Sequence, residues 1–537
     1  IGGIPSILRT QYFEGYDPHT NARAYRPVSL VTYALEKEFF GLNASAHHAV
    51  NILLYALLAV FLFFALLRLL KNFHWSLAFV TTVLFVVHPV HVDVVANIKS
   101  RDELLGFLNW ILALLFLLDH VDQPRRWKAL LSYTFFFLAI ASKENLLTTL
   151  ACIPLCLYFF RELTWSRILK KTLPYAGIFL LFILIRASVI GQAEDNSALI
   201  TYQDNPILAS TNISERVGTN IYTMGMYLKT LVYPFRLSCD YSYNSIPVRP
   251  FTDAPVIGYL LLYILLLIIA IWGFKRKNIF SFCILWFLIT ISIVSSVFIM
   301  SSNAYADRFL FTPSLSISLA AGYLLYKLAG IMKGQNLFTP ISTRRIGAMV
   351  VFLLVITLWS VKIIQYVPVW KDDLTLFKYN LEVNPNNSRM HKNYGGEMVR
   401  QAIALRNDTS IQRSGDTGRI NSLARTGIIE LKKAKAIFPG DAVGHIHEGN
   451  ANILLGDFAE AENNLRNALT IDPNNRFAFI SLGYTFYMTG RYQEAAATWE
   501  KINPEIRSPS DNYNLYLAYL MVGDQQKANY YKVLSGK

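Results

Sequence analysis

The stretch HPVHVDVVANIKSRDE, residues 88–103, lies between two strongly apolar segments at about 75–87 and 104–118. It places two His, two Asp, one Glu, one Arg and one Lys within sixteen positions. Ionisable groups set against membrane-grade apolar sequence are energetically costly, so they usually mark a functional site rather than a solvated loop. The stretch therefore predicts a polar site at a membrane surface, between two membrane spans.

The composition agrees with a membrane-embedded chain. Of its 537 residues, 53% are hydrophobic and only 16% are charged, which is less charge than a soluble protein of this size usually carries. The net charge of +14 resembles that of nucleic-acid binders, but the basic residues cluster in short loops between apolar segments, as in membrane proteins. Nucleic acid is therefore not expected as a partner. The four cysteines form no disulfide or zinc pattern.

Ten apolar segments predict ten membrane spans. They lie at about 46–70, 75–90, 103–119, 128–142, 145–160, 173–190, 255–273, 279–300, 310–329 and 346–366. A weaker apolar stretch at 218–235 is interpreted as a helix that lies on or dips into the membrane. With this choice, five basic clusters share one side, which is then cytoplasmic. The clusters are Arg68 and Lys71; Arg125, Arg126 and Lys128; Arg161, Arg167, Lys170 and Lys171; Lys275, Arg276 and Lys277; and Lys327, Lys333, Arg344 and Arg345.

The two ends of the chain differ in character. Residues 1–45 are interpreted as an external juxtamembrane segment with a short amphipathic helix at 33–40. The chain opens on Ile1 without a signal-peptide pattern, so at least one further span is expected upstream. Residues 46–368 form the predicted transmembrane domain. Residues 369–537 have a soluble composition and form the predicted extracytoplasmic domain.

A 34-residue repeat predicts the fold of the last domain. Gly449 recurs as Gly483, and Ala461 recurs as Ala495. Small residues at helix crossings with this period are typical of tetratricopeptide repeats. An earlier copy is predicted from about residue 372, interrupted by a polar insertion at about 405–420. The sequence thus predicts an all-α chain with a C-terminal tetratricopeptide superhelix.

The polar stretch has three possible interpretations. His88, His91 and Asp93 are residue types that bind metal, but no fourth ligand is evident. The alternatives are hydrogen bonding at the interface and a substrate site without metal. The last of these is supported by the phosphate-binding chemistry of Arg101, Lys143 and Arg308, because Arg offers paired donors and Lys a point charge. For Lys143 with Glu144, and for Asp307 with Arg308, an ion pair that closes helix ends is the alternative.

Several motifs together resemble a known family. They are YRPVSLVTYALEKEFFG, HPVHVDVVANIKSRDELL, SKEN, YQDNP, PFRLSCDYS and ADRFLFTPS, followed by the repeats. The ordered set is similar to the transmembrane and tetratricopeptide-repeat O-mannosyltransferases and their bacterial relatives. The resemblance implies a GT-C glycosyltransferase that moves a mannose-like sugar from a polyprenyl-phosphate carrier to a protein Ser or Thr hydroxyl. It implies no cofactor beyond this lipid-linked donor, and no residue is assigned to a metal site.

The resemblance also assigns roles to residues. The implied catalytic residues are Glu103, Asp93 and Asp240. The implied substrate-binding residues are Tyr25, Arg26, His88, His91, Arg101, Lys143, Glu144, Asp307 and Arg308; Ser314 also matches the family pattern. Asp93 and Asp307 stand where the family often has Glu. GT-C enzymes usually carry a catalytic acid in the first external loop, which is expected upstream of this chain.

Location and partners follow from the same reading. The protein is expected in a bacterial inner membrane, with its repeats on the periplasmic side and an acceptor protein or peptide bound by them. The alternative function is a membrane-anchored scaffold whose repeats recruit an envelope protein.

Overall fold

The structure is a computed structural model that describes residues 3–13, 24–191, 201–297, 300–301, 303–332, 334, 342–408 and 417–536. Within these ranges every regular element is a helix, as the sequence predicted. The described chain divides into two units, one of residues 1–241 with 246–371 and one of residues 242–245 with 372–537.

The first unit contains fourteen α-helices among its described residues. They are α1 Gly3–Ile7, α2 Pro27–Phe40, α3 Ala44–Leu69, α4 Trp75–Val86, α5 Val92–Ala96, α6 Arg101–Asp122, α7 Arg126–Ser142, α8 Thr149–Phe160, α9 Trp165–Ile190, α10 Ile213–Val232, α11 Ala254–Phe274, α12 Ile279–Ile291, α13 Ser314–Leu328 and α14 Thr343–Tyr366. Six short 3-10 helices join them, at Pro89–His91, Ile98–Ser100, Glu144–Thr148, Pro206–Ala209, Asp307–Leu310 and Val367–Lys371.

Each of the ten predicted spans contains one of these helices, but only some are long enough to cross a bilayer alone. Five described helices are long and apolar enough to cross a membrane. Helix α4 and residues Pro89–Ala96, which meet at a bend of 52°, make a sixth if they count as one span. The apolar helices at Glu144–Phe160 and Ile279–Ile291 are shorter. The predicted non-spanning helix at 218–235 is α10, which is not among the candidate spans. These helices make the chain an integral membrane protein.

Helix α6 sets the distance between two polar regions. Its 22 residues correspond to about 33 Å, close to the thickness of a hydrocarbon core. At its C-terminal end, Asp119 and Asp122 pair with Arg68 at 2.8 Å, Lys71 at 2.8 Å and Arg161 at 3.0 Å. Its N-terminal end carries the polar stretch. Three of the predicted cytoplasmic basic residues therefore lie at the opposite end of α6 from residues 88–103.

An aromatic core holds the helices around α6. The ring centroids of Trp110 and Trp286 are 5.0 Å apart, and the Trp286 indole donates a hydrogen bond to the Thr312 carbonyl at 3.1 Å. Phe311 packs 5.7 Å from Phe107. Because the surrounding lipid is as apolar as these rings, their close van der Waals packing is what stabilises this arrangement of helices. The core thereby fixes the segment that precedes α13 against the start of α6.

The second unit is a stack of helices. Its described helices are α15 Asp373–Val383, α16 Ser388–Asn407, α17 Gly418–Ile437, α18 Ala442–Leu455, α19 Phe458–Ile471, α20 Arg476–Met488, α21 Tyr492–Glu500, α22 Pro509–Val522 and α23 Gln525–Ser535. Residues 409–416 of the predicted insertion lie outside the described residues.

The repeated glycines explain the close packing inside each helix pair. A Cβ on Gly449 would lie 2.7 Å from Leu465, and a Cβ on Gly483 would lie 2.3 Å from Trp499. The two contacts are equivalent, because Gly483 follows Gly449 by one repeat and Trp499 follows Leu465 by one repeat. Gly456 then ends α18 with a positive φ of 79°, which glycine adopts without steric cost. The tetratricopeptide prediction is confirmed.

Candidate functional site

The polar stretch folds into a series of tight turns over the end of α6. His88 caps the Pro89–His91 turn, and Asn97 caps the Ile98–Ser100 turn by accepting a hydrogen bond from the Lys99 amide at 3.1 Å. Between the turns, α5 has only five residues. The chain therefore turns back toward α6 while most side chains of the stretch stay out of solvent. The ionisable residues of the stretch, apart from Lys99, are buried: His88, His91, Asp93, Arg101, Asp102 and Glu103.

Asp102 lies at the centre of one group of charges, which we call the Asp102 cluster: Arg26, Asp102, Glu103 and Lys143. Its Oδ2 lies 2.5 Å from Nη1 of Arg26, and its Oδ1 lies 3.1 Å from Nζ of Lys143. The same Nζ lies 2.9 Å from Oε1 of Glu103. The predicted residues Arg26, Lys143 and Glu103 are thus brought together, but by a carboxylate to which the sequence assigned no role.

Glu144 faces a different set of partners from those of Lys143. It accepts a hydrogen bond from the Tyr25 amide at 3.2 Å and pairs with Arg186. The Tyr25 hydroxyl donates to the Leu8 carbonyl at 2.8 Å. In place of the ion pair between Lys143 and Glu144 that was the alternative interpretation, each residue forms separate ion pairs, which fix the turn between α7 and α8.

A second group of charges, which we call the Arg308 cluster, contains Asp93, Asp307 and Arg308. Nη1 of Arg308 lies 3.9 Å from Oδ2 of Asp93, with a quarter of the arginine side chain exposed. Asp93 itself is 2% exposed. Asn97 and the Arg308 amide approach its carboxylate, but neither of its buried oxygens has an aligned hydrogen-bond partner among the described residues. The cluster therefore joins a partly exposed cation to a poorly satisfied buried carboxylate.

Asp307 is held more firmly than Asp93. Its Oδ2 accepts a hydrogen bond from the Ser238 amide at 2.8 Å, and the Tyr241 hydroxyl donates to its carboxylate at 3.1 Å. Burial raises the pKa of Asp307 to about 7, opposed by the Ser238 hydrogen bond and assisted by the charge of Asp93. Asp307 thus anchors the 238–241 segment beside Arg308.

The predicted residue Asp240 lies in this same segment. It is half-buried next to Cys239. Burial, followed by the charges of Asp240 and Asp93, raises the pKa of the Cys239 thiol. Cys239 is thus close enough to Asp93 to feel its charge, and Asp240 is the next residue along the chain.

The two histidines lie beneath the clusters with their ring nitrogens engaged. Nε2 of His88 lies 3.0 Å from the Leu231 carbonyl. Nδ1 of His91 lies 2.7 Å from the Tyr55 hydroxyl, and Nε2 lies 2.8 Å from the Ser314 hydroxyl. Among the described residues no three His, Cys, Asp or Glu side chains are placed to hold a metal ion. Of the three interpretations, hydrogen bonding fits the histidines best.

Arg101 points away from both clusters. It is fully buried, with Nη1 2.5 Å from Glu36, Nε 2.8 Å from Asn51 and Nη2 3.0 Å from the His47 carbonyl. These partners come from α2 and α3. Its predicted phosphate-binding role finds little support in this geometry, because the guanidinium is occupied in joining three helices.

The sequence reasoning missed several residues that build the site. Of these residues, Asp102 could most easily have been predicted from the sequence, because it lies beside Glu103 within the same charged motif. Glu36, Tyr55 and Tyr241 carry no comparable signal. Tyrosines are common in this chain, and nothing in the sequence relates these positions to their partners.

A large apolar cavity lies next to the 3-10 turn that contains Glu144. It has a volume of about 770 Å³ and is walled by α8, α10, α11 and α12. Ala151, Met224, Leu260 and Leu288 are among its lining residues, and Thr148 belongs to the same 3-10 turn as Glu144. The cavity therefore begins a single turn away from a predicted site residue.

Solved structures with tetratricopeptide folds are similar to part of the chain. The crystal structure of MamA is 20% identical with a TM-score of 0.23, covering 30% of this chain and 78% of that one. A thermophilic TPR protein of Thermus thermophilus is 17% identical with a TM-score of 0.24, covering 34% of this chain and 85% of that one.

A family model described as protein O-mannosyl-transferase TMTC, DUF1736, matches residues 195–267. A protein O-mannosyl-transferase of Caenorhabditis elegans is 25% identical over 380 residues, covering 70% of this chain and 51% of the relative. Human protein O-mannosyl-transferase TMTC3 is 22% identical, covering 94% of this chain and 60% of the relative. Human TMTC1 is 37% identical over a shorter 111 residues. The chain is thus similar to this family and spans roughly half the length of these first two relatives.

Proposed function

We propose that the protein transfers a mannose-like sugar from a polyprenyl-phosphate carrier to a Ser or Thr hydroxyl of a protein. Similarity to protein O-mannosyl-transferases supports the reaction class. The observation that carries the proposal is Arg308, whose side chain is a quarter exposed and meets Asp93 only at 3.9 Å. A guanidinium held this loosely is ready to bind an incoming phosphate with paired hydrogen bonds.

The Asp102 cluster provides the surroundings of this phosphate. Arg26 and Lys143 are fixed by Asp102 and do not need to reorganise during the reaction. Preorganised cations stabilise charge that develops on a leaving group more effectively than mobile ones. In the proposed reaction Arg308 contacts the leaving phosphate, and the two fixed cations add a positive field.

Among the three predicted catalytic carboxylates, Asp93 fits the role of general base best. Its ion pair with the partly exposed Arg308 is 3.9 Å long, whereas Oε1 of Glu103 lies 2.9 Å from the buried Nζ of Lys143. When Arg308 binds the phosphate, Asp93 is left to accept a proton. The acceptor oxygen then bonds to the anomeric carbon, the bond from that carbon to the phosphate oxygen breaks, and the hydroxyl proton moves to Asp93.

The apolar cavity supports a lipid-linked donor. Its lining includes Met224, Leu260 and Leu288, which suit a hydrocarbon chain rather than a soluble nucleotide sugar. The site lies at the opposite end of α6 from Arg68 and Arg161. Basic residues favour the cytoplasmic side, so we place transfer on the external face, with a GT-C arrangement of helices.

The proposal is tested with the purified full-length chain, polyprenyl-phosphate mannose and an acceptor protein. Release of free polyprenyl phosphate is measured for the unaltered protein, Arg308→Ala and Arg308→Lys. Arg68→Ala is the matched control, because Arg68 pairs with a carboxylate at the far end of α6. We expect Arg308→Ala to lose about a hundredfold or more in rate, Arg308→Lys to recover part of it, and Arg68→Ala to be unaffected. Full activity of Arg308→Ala would overturn the proposed site, and no donor consumption by the unaltered protein would favour the scaffold function.

A further inference from the structure

An aromatic stack joins three helices at the end of α6 that lies opposite the proposed site. The Tyr158 ring of α8 stacks on Trp165 at the start of α9, with ring centroids 4.8 Å apart, and on Phe274 at the end of α11, with centroids 4.5 Å apart. The ammonium of Lys277 lies 5.3 Å from the centre of the same Tyr158 ring and donates a hydrogen bond to the Arg161 carbonyl at 3.3 Å. The Arg161 side chain in turn pairs with the C-terminal end of α6. The turn between α11 and α12 is therefore packed against the start of α9.

Six basic residues surround this stack, and we call them the basic surface. Three are consecutive in the turn between α11 and α12, and three lie on the first two turns of α9: Lys275, Arg276, Lys277, Arg167, Lys170 and Lys171. None of the six forms an ion pair in the described part of the chain. Glu162 is the one acidic residue between Arg161 and Lys171, and its side chain is exposed. The basic surface therefore carries a positive charge that the chain itself leaves uncompensated.

Other basic residues at the same end of α6 are treated differently. Arg68 pairs with Asp119, and Lys71 pairs with Asp122, each at 2.8 Å. The general preference of basic residues for the cytoplasmic side accounts for their presence in short loops, but both paired and unpaired cations satisfy it. Like charges on adjacent residues repel each other. The basic surface is thus the part of this end that is left to attract an anion from outside the chain.

The apolar groups beside the basic surface indicate that this anion belongs to a lipid. Trp165 and Trp272 are both more than half exposed, and the Arg276 guanidinium lies 4.1 Å from the centre of the Trp272 ring. Tryptophan is enriched where the hydrocarbon core of a bilayer meets the headgroups. Leu169 on α9 and Ile271 on α11 are also largely exposed. The cations therefore lie at the level of the headgroups, next to apolar side chains that acyl chains can cover.

We propose that the basic surface binds the headgroup of an anionic phospholipid. Arg276 offers paired hydrogen bonds to the headgroup phosphate, and Lys275 adds a point charge. The acyl chains pack against the exposed side chains of α9 and α11. Basic groups between membrane helices are suited to such headgroups. The bound lipid joins the start of α9 to the turn between α11 and α12 and stabilises this end of the first unit. The inference goes beyond the proposed transfer reaction and does not depend on it.

Thermal unfolding of the full-length chain in a neutral detergent tests lipid binding. The Tm is followed while dioleoylphosphatidylglycerol is added, and dioleoylphosphatidylcholine serves as a zwitterionic lipid with the same acyl chains. A ligand that binds the folded state raises the Tm. We expect phosphatidylglycerol to raise it more than phosphatidylcholine does. Inorganic phosphate at the same concentration is expected to leave the Tm unchanged, because it has no acyl chains to bury.

Substitutions locate the bound lipid. The double variant Arg276→Gln with Lys277→Gln is expected to need about tenfold more phosphatidylglycerol for the same rise in Tm, because each basic residue near a headgroup adds to the attraction. Arg344→Gln with Arg345→Gln is the matched control, since it removes the same charge from the start of α14. Lys277→Arg keeps the charge and is expected to respond as the unaltered protein does. Each rise is measured from the variant's own Tm without lipid, so a less stable variant still reports binding.

Three results would overturn the inference. The first is an equal rise in Tm with the two lipids, or a rise with inorganic phosphate alone. The second is an unchanged phosphatidylglycerol requirement in the variant Arg276→Gln with Lys277→Gln. The third is an equally increased requirement in the α14 control, which would show a response to net charge rather than to the basic surface.

Discussion

The ammonium Nζ of Lys143 lies 3.1 Å from Oδ1 of Asp102, although 41 positions separate the two residues. Both side chains are buried, with exposed fractions of 6% and 2%. The contact joins the end of α7 to the start of α6, and Arg26 reaches the same carboxylate from the segment before α2. Asp102 is therefore the shared anion that pairs with the buried Lys143 and with Arg26, whose side chain is 17% exposed.

Removing this anion is expected to destabilise the protein strongly. Asp102→Asn leaves the buried Lys143 with less compensating charge, and breaking a buried ion pair costs about 3–5 kcal/mol. Thermal unfolding in detergent measures the loss. Asp119→Asn is the matched control, because Asp119 lies on the same helix and pairs with Arg68 but is 25% exposed. Exposed pairs contribute about 0–1 kcal/mol, so equal losses in the two variants would contradict the role given to Asp102.

The fold was predictable where one residue type meets one physical demand. Gly449 and Gly483 recur because each helix crossing excludes a side chain. The apolar segments were equally readable, since hydrophobic runs of this length have few alternatives to membrane-associated helices. Their ends were less predictable: α12 stops at Ile291, although apolar residues continue to about residue 300.

The sequence predicted where the site lies but not which side chains pair with each other. Charges within apolar sequence located residues 88–103, yet Arg101 and Asp102 turn in different directions. Neighbouring positions on a helix differ by about 100°, so Asp102 meets Lys143 while Arg101 meets Glu36. Pairing across the fold depends on how the helices pack, which residue spacing along one segment does not specify.

The glycine crossings yield a prediction for the second unit. Gly483→Ala puts a Cβ 2.3 Å from Nε1 of Trp499, and such overpacking costs about 1–3 kcal/mol. Gly444→Ala is the control, because its nearest neighbour would be Lys435 Cγ at 3.8 Å. Alanine in an open helical position is stabilising by about 0.5–1 kcal/mol. Denaturant unfolding of the full chain is expected to show a lower free energy of unfolding for Gly483→Ala and a higher one for Gly444→Ala. Changes in the same direction would argue against the close crossing at Gly483.

Asp307 predicts a pH dependence of stability. Its pKa of about 7 in the folded protein lies above the value of about 3.9 for an unfolded Asp, so the folded state binds more protons between these values. Its contribution to stability is complete below about pH 4 and is lost as the pH rises through about 7. Asp307→Asn removes this dependence. Thermal midpoints of both proteins at pH 5 and pH 8 test it: we expect a larger fall in the unaltered protein, and equal falls would contradict the burial of an ionisable carboxyl group.

Replacing Arg101 is expected to impair stability, whereas replacing Arg308 is expected to impair transfer. Arg101 is fully buried and joins Glu36, Asn51 and the His47 carbonyl. Arg101→Ala therefore leaves Glu36 without its buried cation, which costs about 3–5 kcal/mol. Arg308 is partly exposed and meets Asp93 only at 3.9 Å, so Arg308→Ala is expected to destabilise the protein less than Arg101→Ala does.

Folded yield and transfer rate, measured on the same preparations, separate the two roles. We expect Arg101→Ala to lower the folded yield and the transfer rate together, with the rate per folded molecule retained. Arg308→Ala is expected to keep the folded yield and lose the rate per molecule. A phosphate-binding role for Arg101 predicts the opposite, a normally folded and inactive Arg101→Ala protein. Arg101→Lys sharpens the comparison, because a single ammonium keeps the charge beside Glu36 but cannot reproduce the three directions of the guanidinium hydrogen bonds.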